Sequence, residues 1–433
     1  MFSGTLTLGP SKGLKGEISV PGDKSISHRS VILGSIAEGI TEVDGFLEGE
    51  DNYSTMNAFR AMGIEIEHFA EYKLRIHGKG MNGLTEAEDI IDAGNSGTTT
   101  RLLTGLLSAQ PFFSVITGDA TLRRRPMKRV VDPLSKMGAS ITGRKNNSLL
   151  PIAISGRQLN GINYKTPIAS AQLKSALLLA GLYARGETII EEPEKSRDHT
   201  ERMFRLFGAD IKVIENSVIV KSTNRLNGCK IKIPGDISSA AFFMVGASIT
   251  PESELLIKDV GVNPTRTGII DILKKMGGSF EVLNTREVSG EPVSDILVKS
   301  SSLKGIDISG EELLPAIDEF PIICVAAAFA QGKTTVSGAK ELRVKESDRI
   351  AVMADSLRAV GITAVEKEDG IIIEGALGEI KGGEIKSHGD HRIAMAMAMA
   401  ALRSKNGIGV QGAACVDVSF PGFYGHLDKV RVS

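Results

Sequence analysis

Two patterns of apolar and polar residues recur along this chain. The first opens on small polar residues and then turns apolar. It appears as GDKSISHRSVILGSIAEG from Gly22, GNSGTTTRLLTGLLSAQP from Gly94 and ASAQLKSALLLAGLYARG from Ala169. It returns as GDISSAAFFMVGASITP from Gly235, IDEFPIICVAAAFAQG from Ile317 and GDHRIAMAMAMAALRS from Gly389. The copies lie roughly 70 residues apart, the kind of fixed period that marks a repeat architecture. The second pattern follows the first five copies. It is an amphipathic helix stopped by glycine: NAFRAMG to Gly63, PLSKMG to Gly138, MFRLFG to Gly208, ILKKMG to Gly277 and SLRAVG to Gly361. Glycine just past a helix end tolerates the positive φ that a helix C-terminus often needs. Alternating stretches such as IEIEHF, DIKVIENSVIV and SFEVL read as strands.

Each unit therefore reads strand–helix–strand–helix–strand–strand, and the fold class is α/β. Six units divide into two domains of three, with the sixth, ending in GHLDKV, cut short. The first helix of each unit is apolar all round after its first turn, so it is expected inside its domain. The second is expected nearer the surface. One large α/β sheet with irregular insertions accounts less well for six evenly spaced copies. A length of 433 residues is also too great for one ordinary core.

Composition narrows the function. Lys plus Arg total 51 against 52 for Asp plus Glu, a net charge of −1, without the basic excess of a general nucleic-acid binder. Cys229, Cys324 and Cys415 form no CxxC pair, which argues against zinc and redox motifs. The opening MFSGTLTLGPSKG lacks an apolar signal core, and the longest apolar run, from Ile393 to Leu402, is far short of a membrane span. A cytoplasmic protein is expected, with no membrane or nucleic-acid partner.

The polar residues sit where the buried helices begin. A helix N-terminus presents free N–H groups and partial positive charge, and so attracts anions. Cations accompany these starts: Lys24 and Arg29, Arg101, Lys174, Arg392. The loops before the second helices add more, in GDATLRRRPMKR, KSRDHTER, NPTRTG and AKELRVKESDRI. Guanidinium groups match carboxylate and phosphate by paired hydrogen bonds. No aromatic residue lies between Phe113 and Tyr164, across the most basic loop, so stacked bases fit less well than small anions. An isolated Lys or Arg is most simply a solvated surface charge; recurrence at one structural position argues for a shared role.

Three other signals carry less. QGKTT from Gln331 is like the end of a phosphate-binding loop, but the required first glycine falls on Ala327. The His388, Asp390 and His391 cluster reads as a polar helix start rather than a metal site. Met395, Met397 and Met399 read as core packing. The carboxylates matter more. Asp318 and Glu319 stand at a buried helix start, and Glu346 lies among Arg343, Lys345 and Arg349. An acid among cations stays charged and can take a proton. On chemistry alone, a helix cap for Asp318 and a structural ion pair for Glu346 remain equally good readings.

The motifs GDKSISHR, GNSGTTTRLL, RRRPMKR, SAQLKSALLLAGL, SRDHTER, IDEFP, LRVKESDRI and DHRIAMA run in one order from Gly22 to about Pro421. Together they resemble the 5-enolpyruvylshikimate-3-phosphate synthase family. The resemblance implies a two-domain inverse α/β barrel closing over a cleft lined by Arg and Lys. One domain is expected to span 1–20 plus 237–433, the other 21–236, with crossings near Val20–Pro21 and Pro234–Asp236. It implies transfer of the enolpyruvyl group of phosphoenolpyruvate to the 5-hydroxyl of shikimate 3-phosphate through a tetrahedral intermediate, with release of phosphate. It implies neither metal nor organic cofactor, only small-molecule substrates, and a monomer.

Residue by residue, the resemblance assigns shikimate 3-phosphate to Lys24, Ser25, Arg29, Ser170, Ala171, Gln172, Arg197, Asp318 and Lys345. Phosphoenolpyruvate falls to Lys24, Gly97, Arg125, Gln172, Arg349 and Arg392. Asp318 is the implied base for the hydroxyl proton, Glu346 handles the methylene proton, and Lys24 assists phosphate departure. The chain departs from many members at Ala171, where some have Ser, and at His199, where some have Tyr. It also lacks the Lys often found before the final Phe420–Pro421. RDHTE, GDKS, SAQLK and NPTR resemble the branch less sensitive to glyphosate, the family's known inhibitor. The nearest rival is the related transferase acting on UDP-N-acetylglucosamine, which carries a Cys in the loop corresponding to GDATLRRRPM; no Cys stands there in this chain. A non-catalytic anion-binding protein of the same fold would not need both Asp318 and Glu346, and an RNA-phosphate cyclase would be better served by stacking aromatics.

Overall fold

The computed structural model describes residues 4–376 and 378–432; residues 1–3, 377 and 433, which the expected domain bounds take in, lie outside them. Among the described residues, the helices of eight residues or more come in six pairs. They are α1 (Lys24–Ile36) and α2 (Glu50–Ala61), α3 (Gly97–Leu107) and α4 (Lys128–Lys136), α5 (Ala171–Gly181) and α6 (His199–Leu206). Then come α7 (Ile237–Ile249) and α8 (Gly268–Lys275), α9 (Phe320–Ala328) and α10 (Arg349–Ala359), α11 (His391–Ala401) and α12 (Phe423–Val430).

The odd-numbered helices are the apolar ones, and every residue of α7, α9 and α11 is buried. Five of the six are capped by a side chain. Asp23, Ser96, Ser170, Asp236 and Asp390 each accept a hydrogen bond from a first-turn main-chain N–H, at 2.8 to 3.4 Å. Helix α9 has no such cap; it continues from the 3₁₀ turn Leu314–Glu319 with Pro321 in its first turn. After five even-numbered helices the chain turns at Gly63, Gly138, Gly208, Gly277 and Gly361, all with φ between 85° and 99°. A β-carbon would be strained there, so glycine sets the helix length.

The sheets share one plan. In the second repeat, Ile91–Asp92 runs parallel to Phe113–Thr117, which pairs antiparallel with Leu149–Ser155, which pairs antiparallel with Ser140–Gly143. The first repeat takes its parallel outer strand from Lys230–Lys232, whose residue 230 sits opposite Glu42. The sixth sheet is completed from the other end of the chain: Thr5–Leu8 pairs antiparallel with Ile408–Gln411. Gly13–Ser19 joins the fourth, parallel to Glu254–Gly261. The N-terminal strands thus belong to the second half, and the shortened sixth repeat still forms a three-stranded sheet.

The chain divides into two compact units, Gly22–Ile233 with Val288–Glu291, and Met1–Pro21 with Pro234–Glu287 and Pro292–Ser433. Each has its own apolar core. In the first, α3 and α5 lie so close that a β-carbon on Gly105 would sit 2.1 Å from the Ala176 carbonyl oxygen. In the second, Phe243, Phe420 and Phe423 stack edge to face or tilted, with Phe420 and Phe423 centroids 5.3 Å apart.

Candidate functional site

In the unit built on Gly22–Ile233, the starts of α1, α3 and α5 are tied together by polar side chains. Lys24, in the first turn of α1, pairs with Asp51 on α2 at 3.1 Å. One turn on, Arg29 is buried and spends its guanidinium internally. It donates to the Ser25 carbonyl at 2.9 Å, to Ser175 Oγ at 2.7 Å and to Thr200 Oγ1 at 2.6 Å. Burial pushes its pKa down, while Glu201, Asp23 and Glu291 support its charge and Arg197 opposes it. His28 is buried behind them, with Nδ1 2.7 Å from Thr55 Oγ1. Burial first, then Lys24 and Arg29, hold its pKa well below the usual histidine value, so the ring is neutral.

Between α3 and α5, Arg101 donates to Gln172 Oε1 at 2.6 Å, and Gln172 Nε2 donates to Thr98 Oγ1 at 3.0 Å. Arg125, from the basic loop, donates to Asn95 Oδ1 at 2.7 Å. Asn95 in turn donates to Asp119 Oδ2 at 2.7 Å. Gly97 lies against both arginines: a β-carbon there would be 2.7 Å from Arg101 Nη1 and 3.3 Å from Arg125 Nη1. Ser25, Ser170, Ala171 and Arg197 are half-buried at the neighbouring helix starts.

In the other unit the starts of α9, α10 and α11 meet in a charged cluster. Arg349 is fully buried and held by three acids. Its Nε donates to Asp390 Oδ2 at 2.9 Å, Nη2 lies 2.7 Å from Glu346 Oε2, and Nη1 lies 3.5 Å from Asp318 Oδ1. Burial works against its charge, but Asp390, Glu346 and Asp318 outweigh that and raise its pKa above the usual arginine value. Arg392 Nη2 lies 3.7 Å from Asp318 Oδ2, and its Nη1 donates to the Asp318 carbonyl at 3.1 Å. Asp318 thus sits between two guanidinium groups with 18% of its side chain exposed. Buried Glu319 accepts from Ser238 Oγ and lies 3.8 Å from Arg392 Nη1. Lys345 is half-buried beside this group; burial lowers its pKa, Asp318 opposes the drop and Arg349 adds to it.

Some cations expected to face anions are instead spent inside the protein. Lys174 is buried between Glu192 and Glu201, at 2.7 Å from each. Arg266 is buried against Asp236 Oδ1 at 3.1 Å and Ser238 Oγ at 2.8 Å. Arg343 pins the 366–368 segment through Glu366 and the carbonyls of Lys367 and Glu368. Asp390, read as a helix start, is that and more: it also anchors Arg349 and accepts from Ser347 at 3.0 Å. The sequence reading missed Asp51 and Asn95, the partners of Lys24 and Arg125. An Asp in the first turn of α2 was the available signal for the former. Among the described residues, Glu65, Glu67 and His77 form the one group with metal-ligand spacing, and it lies apart from these helix starts on a hairpin where Glu67 already pairs with Arg75.

A family model described as EPSP synthase (3-phosphoshikimate 1-carboxyvinyltransferase) matches residues 8–427. The chain belongs to the EPSP synthase family. The family's curated members include a 3-phosphoshikimate 1-carboxyvinyltransferase of Geobacter metallireducens, 62% identical over 424 residues and covering 98% of each chain. One of Geobacter sulfurreducens is 60% identical over 428 residues, 99% of each chain. Among solved structures, an EPSP synthase from Acinetobacter baumannii superposes with a TM-score of 0.88 at 51% identity, covering 99% of this chain and 98% of its own. The enolpyruvyl transferase NikO from Streptomyces tendae, at 14% identity and a TM-score of 0.78, shares the fold, covering 98% of this chain and 97% of its own. The inverse α/β barrel expected of the EPSP synthase family is therefore the fold of this chain.

Proposed function

We propose that this chain transfers the enolpyruvyl group of phosphoenolpyruvate to the 5-hydroxyl of shikimate 3-phosphate and releases phosphate. The full-length likeness to curated relatives bearing that activity's name carries the reading. It also sets aside the UDP-N-acetylglucosamine transferase and the non-catalytic alternatives. The product feeds the shikimate pathway toward chorismate and the aromatic amino acids.

In this reading Lys24, Ser25, Arg29, Ser170, Ala171, Gln172, Arg197, Asp318 and Lys345 bind shikimate 3-phosphate. Lys24, Gly97, Arg125, Gln172, Arg349 and Arg392 bind phosphoenolpyruvate. Asp318 takes the hydroxyl proton as the oxygen attacks the central carbon. Glu346 gives a proton to the methylene carbon, then takes one back as the bond to phosphate breaks. Lys24 offers its charge to the leaving phosphate. The geometry supports these roles in two ways. The arginines around Asp318 fix its orientation, and Arg349 ties Glu346 to the same cluster. Arg29, spent on three internal acceptors, serves the substrate through its remaining N–H groups and its charge.

We further infer a cytoplasmic monomer using small-molecule substrates. Its cysteines Cys229, Cys324 and Cys415 are free, and among the described residues no helix is long and apolar enough to cross a membrane.

Phosphate release tests the proposal. With purified protein and phosphoenolpyruvate, release is expected only when shikimate 3-phosphate is added; release with UDP-N-acetylglucosamine instead would overturn the acceptor. A second test addresses glyphosate, for which we expect intermediate tolerance. In Gly97→Ala the added methyl presses on the Arg101 and Arg125 guanidiniums. Overfilling a packed site costs about 1–3 kcal/mol, roughly tenfold to a hundredfold in affinity. The longer inhibitor needs that space more than phosphoenolpyruvate does. Its inhibition constant should therefore rise far more than the KM for phosphoenolpyruvate. Equal proportional rises in steady-state kinetics would show that Gly97 does not discriminate between them.

A further inference from the structure

Behind the helix starts of the Gly22–Ile233 unit lies a carboxylate that the proposed chemistry does not use. Glu192 follows the strand Glu187–Glu191 and is buried, with its side chain 1% exposed. Its two oxygens collect four donors. Oε1 accepts from Ser196 Oγ at 2.5 Å and from the Ser170 main-chain N–H at 3.3 Å. Oε2 accepts from Lys174 Nζ at 2.7 Å and from the Ser196 main-chain N–H at 3.3 Å. Lys174 Nζ also donates to the Ser196 carbonyl at 3.3 Å and meets Glu201 Oε1 at 2.7 Å.

Ser170 caps α5 at the Ser170–Gln172 segment, and Ser196 immediately precedes Arg197. One carboxylate thus joins two segments that lie 26 residues apart in sequence, from 170 to 196. We propose that Glu192 is a positioning residue for shikimate 3-phosphate. Locked by Lys174, it sets the spacing between the Ser170–Gln172 helix start and Arg197. The inference rests on the proposed roles of Ser170, Gln172 and Arg197.

Chemistry favours this over a purely stabilising role. Burying charges costs about as much as their pairing returns, so a buried ion pair is weak as a source of stability. Its strength is directional: an ionised carboxylate fixes several N–H and O–H donors at short range. The charges are also balanced. Lys174 lies against both Glu192 and Glu201, and Glu201 is the foremost support for the Arg29 charge. Glu192 therefore has a neutralised setting in which its geometry, rather than its net charge, matters.

Three variants test the proposal by steady-state kinetics. Glu192→Gln keeps the shape but cannot accept all four donors. It should raise the KM for shikimate 3-phosphate about tenfold, the weight of one charge-assisted hydrogen bond. The KM for phosphoenolpyruvate should rise less than about twofold. Glu192→Asp keeps the charge but is too short to span both segments, so it should show the same imbalance. Rescue by Glu192→Asp would mean that only charge is needed and would overturn the proposal. If Glu192→Gln does not fold, Ser196→Ala removes one donor without disturbing the ion pairs. It should show the same selective rise at roughly threefold, and equal KM values to the parent would overturn the proposal. A parent enzyme without shikimate 3-phosphate-dependent phosphate release would instead sink the functional reading. An active parent with proportional changes in both KM values would sink this inference alone.

Discussion

Asp318→Asn should lower kcat roughly 10²- to 10⁴-fold, the usual weight of a general base, while the KM values for both substrates stay within about threefold. The expectation follows from how the side chain is held. Its oxygens lie 3.5 Å from Arg349 Nη1 and 3.7 Å from Arg392 Nη2, and its carbonyl accepts from Arg392. An amide of the same shape keeps one oxygen toward a guanidinium and turns its NH2 toward the other, and it cannot take the hydroxyl proton. Phosphate release under saturating substrates measures the change. A variant turning over within about fivefold of the parent would return Asp318 to the structural role that sequence chemistry left open, and would point to Glu346 as the sole proton carrier.

The second large effect concerns stability. Asp390→Ala removes the main partner of fully buried Arg349, together with the cap of α11 and the acceptor for Ser347. Leaving one member of a buried pair without its partner typically costs about 3–5 kcal/mol, and a lost cap about 1 kcal/mol more. Urea unfolding should register a loss in that range. Asp390→Asn should lose less, because an amide oxygen can still cap the helix. A loss below about 1 kcal/mol in Asp390→Ala would mean that Glu346 and Asp318 hold Arg349 without help.

Local patterns made part of the fold legible in the sequence, and pairings between distant residues hid the rest. The five helix-stopping glycines are legible from their spacing, and each adopts positive φ because a helix end there admits little else. The apolar helices are equally legible, since a helix without a polar face has nowhere to go but inside. The cations were harder. Lys174 and Gln172 share one helix start in sequence, but successive helical residues turn by about 100°. Two positions on, Lys174 points away from Gln172 and into a pair of glutamates. Arg266 and Arg343 are likewise ordinary basic residues of charged loops until their acceptors are known. Asp348, which accepts from Arg343 at 2.7 Å, is local, but Asp236 and the acceptors at 366–368 lie 20 to 30 residues away in sequence, and no local pattern names them. The same limit hid 288–291, which group with the Gly22–Ile233 unit although the strands on either side belong to the other.

The strand exchange between distant parts of the chain has a consequence for synthesis. Most of the Gly22–Ile233 unit is contiguous and its first sheet closes once Lys230–Lys232 has been made. The other unit has to wait. Leu8 pairs with Ile408, a separation of 400 residues (8 to 408), so Thr5–Leu8 leaves the ribosome long before its partner exists. At about 5–20 residues per second, that delay is roughly 20–80 s. For that time Thr5–Leu8 is an unpaired edge, open to chaperones and to the wrong partners, whereas Gly13–Ser19 waits only until Glu254–Gly261 has been made.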